Sequence, residues 1–458
     1  MVKAAAVILA AGEGKRMKSK EPKVLHEVLF KPMIDWVTDA VKVAGIDEIC
    51  VVAGYAHRKL ETHLKASCSI AIQTERLGTG HAVLQAKDFL LKTEPEDVVI
   101  LCGDAPFIDG EIIDAAYEKH IAENNAVTVI TANAKNPFGY GRIVRKDGNV
   151  TSIVEEKDAS VDEKKITEIN SGAYWFKTSS LLVALAELKN DNAQGEYYFT
   201  DTVEIISEKG YNSGSFMLED FGMIAGANDR KQLAALNTYA RRIKLDCLYE
   251  CGVTITDESG VTVGPDVTVG SDTTILPGTI LKGKTKIGSF CVIGPNSLID
   301  NCEIANNVVF NASQAYSAKI ADYVTVGPFS HLRPNTDLHE KVHVGNFVEI
   351  KNSVIGEGTK VSHLTYVGDS DVGKKVNFGC GCVTTNYDGV KKHRTKVGDN
   401  AFIGCNTNLV APVEVGESAY TAAGSTITKN VPPHALAVAR SRQENIEGWV
   451  TRKRSKND

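Results

Sequence analysis

No apolar run in this chain is long enough to cross a bilayer, so no membrane partner is expected. Positive charge is also in short supply. The 51 Lys and Arg residues against 57 Asp and Glu leave a net charge of -6. That balance argues against a general binder of nucleic acid or of a membrane surface. Any anionic substrate must then be held by local clusters of basic side chains. Paired CxxC spacing is missing too. The 10 cysteines are scattered, and Cys380 and Cys382 form a CxC. Zinc and disulfide readings of that pair are both open. Small buried thiols in turns are far commoner, and a reduced, cytoplasmic chain is expected. The opening "MVKAAAVILAAG" faintly imitates a secretion signal. Its apolar part runs straight into a glycine-rich basic loop, so a buried strand is expected there.

That loop, "LAAGEGKRMKSKEPKVLH" from Leu9 to His26, fits neither familiar phosphate-binding pattern. A dinucleotide fingerprint needs a third glycine where Met17 stands, and Gly14-Lys15-Arg16 does not close a Walker loop. The apolar run Ala4 to Ala10 before it still reads as a buried parallel strand. Strand, glycine turn and helix would present free N–H groups to an anion, with Arg16 and Lys23 adding charge-assisted bonds.

The chain length of 458 residues suits two or three domains. Up to about Ala227, strand-like runs such as Ile49–Ala53, Val98–Cys102 and Ala126–Ala132 alternate with helical stretches such as Pro32–Ala44 and Gly110–Asn124. That alternation predicts an α/β domain with a mixed, mostly parallel sheet. The segment from Asn228 to about Glu250 has helical apolar spacing and predicts a linking helix. After Gly252 the period changes. Val263, Val269, Ile275, Leu281, Ile287, Ile293 and Ile299 recur at a step of six, with Val267, Thr273, Thr279, Thr285, Cys291 and Ser297 four places after each of the first six. The step resumes from Ile320 to Ile350 and, after slips of one residue, continues through Val361, Val367, Val372 and Phe378 to Val415. Such a period predicts an all-β parallel β-helix whose first hexapeptide residue points inward. The residues between Phe378 and Val397 break the count. They predict an outward loop with Asn386, Tyr387, Lys391, Lys392 and Arg394 near its tip.

These motifs, in this order, resemble those of the bifunctional N-acetylglucosamine-1-phosphate uridyltransferase and glucosamine-1-phosphate acetyltransferase family over nearly the whole chain. The matching stretches are the opening loop, "QTERLGTGHA", "CGDAP", "NPFGYGRIV", "IVEEKDA" and "EINSG", then "SHLRPNTDL", "VEIKNS" and "VSHLTYVGD". The resemblance implies a Rossmann-like nucleotidyltransferase domain over 1–228, a linker helix over 229–250, a left-handed hexapeptide β-helix over 251–437 and a tail over 438–458. It also implies UTP and acetyl-CoA as co-substrates, one Mg²⁺ with a second left open, and, by analogy of fold, a homotrimer.

In the first domain the resemblance places the nucleotide on Leu9, Ala10, Ala11 and Gly12, with Arg16 and Lys23 gripping its phosphates. Gln73, Gly78 and Thr79 would select uracil. Gly139, Glu155 and Asn170 would contact N-acetylglucosamine, and Asp104 with Asn228 would bind Mg²⁺. Asn228 belongs to the nucleotide-sugar set as well. In the β-helix, His363 is implied as general base, because the attacking amine must lose a proton and a free imidazole titrates near ~6.5. Arg333 and Lys351 would hold the sugar phosphate, and Tyr366 and Asn377 the sugar. Cys380, Asn386, Tyr387, Cys405, Ala423 and Arg440 would meet acetyl-CoA. Two departures stand out: Lys15 replaces a usual threonine, and Cys405 a usual serine. A single-activity nucleotidyltransferase with a non-catalytic β-helix, or a scaffold with vestigial pockets, are the alternatives. His363, Arg333, Lys351 and the Asn386–Tyr387 loop weigh against the first, and intact Asp104, Lys23 and Asn228 against the second. The basic end "TRKRSKND" is expected to be a solvated tail.

Overall fold

A computed structural model describes residues 4–54, 56–64 and 67–454. It divides into two compact units, with the boundary between Ala240 and Arg241 inside the helix Arg230–Glu250.

In the first unit, Ala4–Ala10 forms a central strand, paired in parallel with Glu48–Ala53 on one side and Asp97–Cys102 on the other. Its residues Ala5 to Ile8 are fully buried, as expected of a strand covered on both faces. The long strand Glu168–Lys177 enters antiparallel between Asp97–Cys102 and Val127–Asn133, so the sheet is mixed. Helices Met33–Val43 and Gly110–Ala122 match the expected helical stretches. The opening loop departs from expectation. No helix starts after the strand; two short 3₁₀ turns, Lys15–Met17 and Lys23–Leu25, carry the chain instead, and the first α-helix begins at Met33. The left-handed backbone at Gly14 and Lys18 and the missing N–H of Pro22 prevent a continuous helix there.

In the second unit three sheets of 11, 10 and 9 strands wrap one core. Ile275 pairs with Ile293 and Leu281 with Ile299, so three hexapeptides make one coil. Every inward residue expected from the step of six is buried. Between Ile299 and Ile320, where the count lapsed, the core continues through Ile304, Phe310 and Ala315. The buried hydroxyls are satisfied between coils: Thr273 Oγ1 donates to the Gly288 carbonyl at 2.8 Å and accepts from Cys291 N–H at 3.0 Å. The last described residues, Trp449–Arg454, form a short exposed helix. Residues 1–3 of the opening segment and 455–458 of the basic end lie outside the described residues.

Ile299 is fully buried in a coil away from any candidate catalytic residue. Ile299→Ala should cost about 2–5 kcal/mol, read as a lower denaturant midpoint for the β-helix transition. Asp201 opens the helix Asp201–Glu208 and is half-buried. Burial, with Glu204, Glu155 and Asp158 nearby, raises its pKa to about 6. An unfolded aspartate titrates near ~3.9, so between these values the folded chain holds a proton that the unfolded chain has lost. The contribution to stability therefore falls as pH rises through that window. Asp201→Asn should melt above the parent protein at neutral pH, and the gap should close near pH ~4.

Candidate active sites

The C-terminal ends of the parallel strands in the first unit face a cavity of about 360 Å³. Parallel-sheet sites form at such strand ends. Leu9, Ala11, Gly12, Lys23, Gln73, Gly78, Thr79 and Asp104 all line it. Ala10 is buried in the strand end, and Arg16 is exposed on its 3₁₀ turn; neither lines the cavity.

Lys23 organises this end of the molecule. Its Nζ ion-pairs with Asp104 Oδ2 and donates to Asn228 Oδ1 at 3.0 Å. Asp104 follows the strand Asp97–Cys102, and its carbonyl accepts from Ala227 N–H at 3.2 Å, which brings Asn228 alongside. A carboxylate and an amide oxygen thus converge on one cation. That hard, oxygen-only donor set fits Mg²⁺, whose remaining positions are commonly taken by water and substrate phosphate. Among the described residues no group of three or more His, Cys, Asp or Glu forms a metal cage.

Gln73 Nε2 donates to the Gly78 carbonyl at 3.1 Å and lies 3.1 Å from His81 Nδ1. Gly78 has φ +112, and a Cβ there would stand 2.5 Å from the Tyr197 carbonyl oxygen. Only glycine allows this approach. Thr79 Oγ1 accepts from Phe199 N–H at 3.0 Å.

The residues expected to contact the sugar form an adjoining group outside the cavity lining. Asn170 Nδ2 donates to Tyr174 OH at 2.7 Å, and its Oδ1 accepts from Gly172 N–H at 3.0 Å. Cys102, which lines the cavity, donates to the Gly172 carbonyl at 3.4 Å and so joins the two groups. Burial raises the Glu155 carboxyl, offset in part by a 3.3 Å bond from Thr200 Oγ1. Gly139, at φ +88, has open space where a side chain would stand. Its N–H donates to Glu156 Oε2 at 3.1 Å, an oxygen also held by Arg142 at 2.6 Å. The residues missed from the sequence are Arg76, Ala82, Cys102 and Glu196, all in the lining. Arg76 lies inside the quoted stretch "QTERLGTGHA", which was the available signal, and it ion-pairs with Glu13. Lys15 pairs with the same Glu13 at 3.4 Å and is largely exposed.

In the second unit the side chains are placed by register. Asn346 pairs across strands with His363. Continuing the pairings Val361–Phe378, Phe378–Ile403 and Ile403–Thr421 by two residues puts His363, Cys380, Cys405 and Ala423 in one column. Arg440 joins its end, with its Cδ 3.8 Å from where a Gly424 Cβ would lie. His363 is exposed, and its Nδ1 lies 2.9 Å from Asn346 Oδ1. Since that amide oxygen only accepts, Nδ1 carries the proton and Nε2 has a free lone pair.

Around the neighbouring corner, Arg333 ion-pairs with Glu349 at 2.7 Å. Lys392 stands beside Lys351 and, with partial burial, pushes it below the ordinary lysine value. Burial alone would raise Asp369, but bonds from Asn352 and Asn386 and the charges of Lys351 and Lys392 bring it down. Asn377 lies in register with Lys360 and Phe402, half-exposed.

The expelled loop differs from expectation. Asn386 is not at the tip but buried at the root, where its Nδ2 bonds Asp369 and reaches Tyr366 OH at 3.5 Å. Arg394 is pinned to Asp371. Tyr387 is exposed, with its hydroxyl donating to the Gly389 carbonyl at 2.6 Å, and Val390 is the exposed tip. Cys382 of the CxC is buried, and its thiol donates to the Gly404 carbonyl at 3.1 Å.

Comparison with known proteins identifies the family of each unit. Residues 5–234 match the nucleotidyl transferase family, and residues 394–429 match the bacterial transferase hexapeptide family of six repeats. The chain is 48% identical over 453 residues to the bifunctional protein GlmU of Geobacillus sp. (strain WCH70), covering 99% of this chain and 98% of that one. It is 50% identical to GlmU of Acetivibrio thermocellus, covering 98% and 97%. It is 47% identical to GlmU of Clostridioides difficile, covering 99% and 98%. The chain therefore belongs to the GlmU family of bifunctional enzymes, with a uridyltransferase in its nucleotidyl transferase unit and an acetyltransferase in its hexapeptide unit.

Proposed function

We propose that the chain acetylates glucosamine 1-phosphate with acetyl-CoA and then transfers UMP from UTP to the N-acetylglucosamine 1-phosphate so formed. The products are UDP-N-acetylglucosamine and pyrophosphate. The observation that carries this reading is the position of His363, exposed on the β-helix with Nδ1 fixed by Asn346 and the cations Arg333 and Lys351 on nearby rungs.

For acetyl transfer, the sugar phosphate sits against Arg333, Lys351 and Lys392, with Tyr366 and Asn377 on the sugar. His363 Nε2 takes a proton from the amine as nitrogen attacks the thioester carbonyl, and CoA leaves as the thiol. Asn346 keeps the imidazole in the tautomer this requires. The thioester lies along Cys380, Cys405 and Ala423, with Arg440 and the loop residues Asn386 and Tyr387 at its margins. Asn386 is buried and bonds Asp369, which supports a role in holding Asp369 and Tyr366 at the root of the loop.

For uridyl transfer, the cavity residues Leu9 to Gly12, Gln73, Gly78 and Thr79 hold the nucleoside, and Lys23 and Arg16 its phosphates. Gly139, Glu155 and Asn170 hold the sugar. An oxygen of the sugar phosphate attacks the α-phosphorus, and pyrophosphate departs in line. The attacking phosphate is already ionised, so positioning and charge neutralisation do the work. Asp104 and Asn228 would hold Mg²⁺, which when bound neutralises phosphate charge. Lys23 must then move from these oxygens to the phosphates.

We assign the enzyme to the cytoplasm as a homotrimer. All 10 cysteines are free thiols, which suits a reducing compartment. Exposed, stacked aromatic pairs on the β-helix, Phe329 with Phe347 and Phe402 with Tyr420, support self-association.

The two activities should be lost separately. His363→Ala should reduce acetyl transfer by about 10²–10⁴-fold and leave uridyl transfer intact. Asp104→Ala should do the reverse. A folded variant lacking both activities would contradict the two-site reading. Metal binding gives another check, because the Lys23 ammonium competes for the same oxygens. Without nucleotide, Lys23→Met should bind Mn²⁺ about tenfold more tightly than the parent, measured by the loss of the free-ion paramagnetic signal.

A further inference from the structure

Cys380 and Cys405 are neighbours on successive coils. The pairing Phe378–Ile403 leads to them, and two backbone bonds flank them: Gly379 N–H to the Ile403 carbonyl at 2.7 Å and Asn406 N–H to the Cys380 carbonyl at 2.8 Å. Adjacent strands at about 4.8 Å put their Cα atoms within the range of about 4.4–6.8 Å that a disulfide spans. Cys405 is exposed and Cys380 half-buried, and both are free thiols. The Cys405 sulfur lies back over the coil of Cys380, 2.9 Å from where a Gly379 Cβ would stand.

The neighbouring Cys382 and the other exposed thiols do not compete. Cys382 is buried, hydrogen-bonded to the Gly404 carbonyl, and pushed up to about 11 by that burial. Cys247 and Cys251 are exposed one helical turn apart. Their Cβ atoms, about 5–6 Å apart at that spacing, exceed the roughly 3.5–4.5 Å of a disulfide.

We propose that Cys380 and Cys405 are a redox modification site: they close a reversible disulfide across the two coils and thereby block acetyl-CoA. This rests on the reading that the column from His363 to Arg440 is the acetyl-CoA track. A bridge there removes the thiol contact at Cys405 and fills the space beneath the thioester with the two linked sulfurs.

The oxidant is a low-molecular-weight disulfide such as glutathione disulfide. The Cys405 thiolate attacks one reagent sulfur, the reagent S–S bond breaks, and one glutathione leaves as the thiol. The Cys380 thiolate then attacks the Cys405 sulfur of the mixed disulfide and releases the second glutathione. The protein loses two protons and two electrons, and the reagent gains both. Disulfides in reducing compartments are usually transient and redox-sensing, which suits a switch of this kind.

The test uses the full chain, oxidised with glutathione disulfide or reduced with dithiothreitol, and both activities are assayed. Oxidation should link the peptides carrying Cys380 and Cys405 in a non-reducing mass map. It should lower acetyl transfer about tenfold or more in kcat/KM, reversibly, without changing uridyl transfer. Cys405→Ser, compared only with its own reduced form, should show no response to the oxidant, and Cys380→Ala should stop at the mixed disulfide, carrying one glutathione on Cys405. Absence of the linked peptides, a link without loss of acetyl transfer, or a loss that persists in Cys405→Ser would overturn the proposal. His363→Ala separates the two readings. If it keeps acetyl transfer, the site assignment falls. If it is inactive while oxidation is harmless, only the switch falls.

Discussion

An acidic enzyme whose substrates are anions must fix its binding cations locally, and here several lean on a carboxylate or another polar anchor. Lys23 is held by Asp104 and Asn228, Arg76 by Glu13, Arg333 by Glu349, and the pair Lys351 and Lys392 lies near Asp369. Exposed pairs of this kind add little to stability. Their value lies in orientation, because a cation already held in place loses less freedom when a phosphate arrives. The arrangement also keeps net charge low, so binding is local and not a property of the whole surface.

The two units hold such groups by different physical means. In the first, parallel strands end together, and the loops beyond them gather residues distant in sequence; Lys23 and Asn228 are 205 positions apart. In the second, register does the gathering. Three hexapeptides make one coil, so side chains about eighteen residues apart stack in columns, as Asn346, His363 and Cys380 do. One slipped residue would turn each column into the core or away from it. The inward Val, Ile and Leu ladder and the buried hydroxyls between coils resist that slip.

That difference explains what was legible in the sequence. The step of six was plain because each inward position tolerates only an apolar or small side chain. It lapsed between Ile299 and Ile320 because some sides there use five residues, with Ile304, Phe310 and Ala315 inward. Ala4–Ala10 was readable as a strand buried on both faces, but the opening loop looked like a helix start, and nothing local reveals that Gly14 and Lys18 both turn left-handed. Asn386 was misplaced at a loop tip because a polar residue in an insertion looks exposed; its partner Asp369 lies a coil away. Arg76 and Glu196 were missed for the same reason, since their place in the cavity depends on loops meeting in space. The site residues in the β-helix were named by family resemblance, and their alignment in one column could not be seen until the coils were stacked.

The account depends most on local cations gripping the sugar phosphate in spite of an acidic chain. Calorimetric titration of glucosamine 1-phosphate into the Lys351→Met protein tests this directly. The account predicts affinity weakened by about tenfold or more relative to the parent, the cost of losing one charge-assisted contact to phosphate. Unchanged affinity in a folded Lys351→Met protein would contradict it.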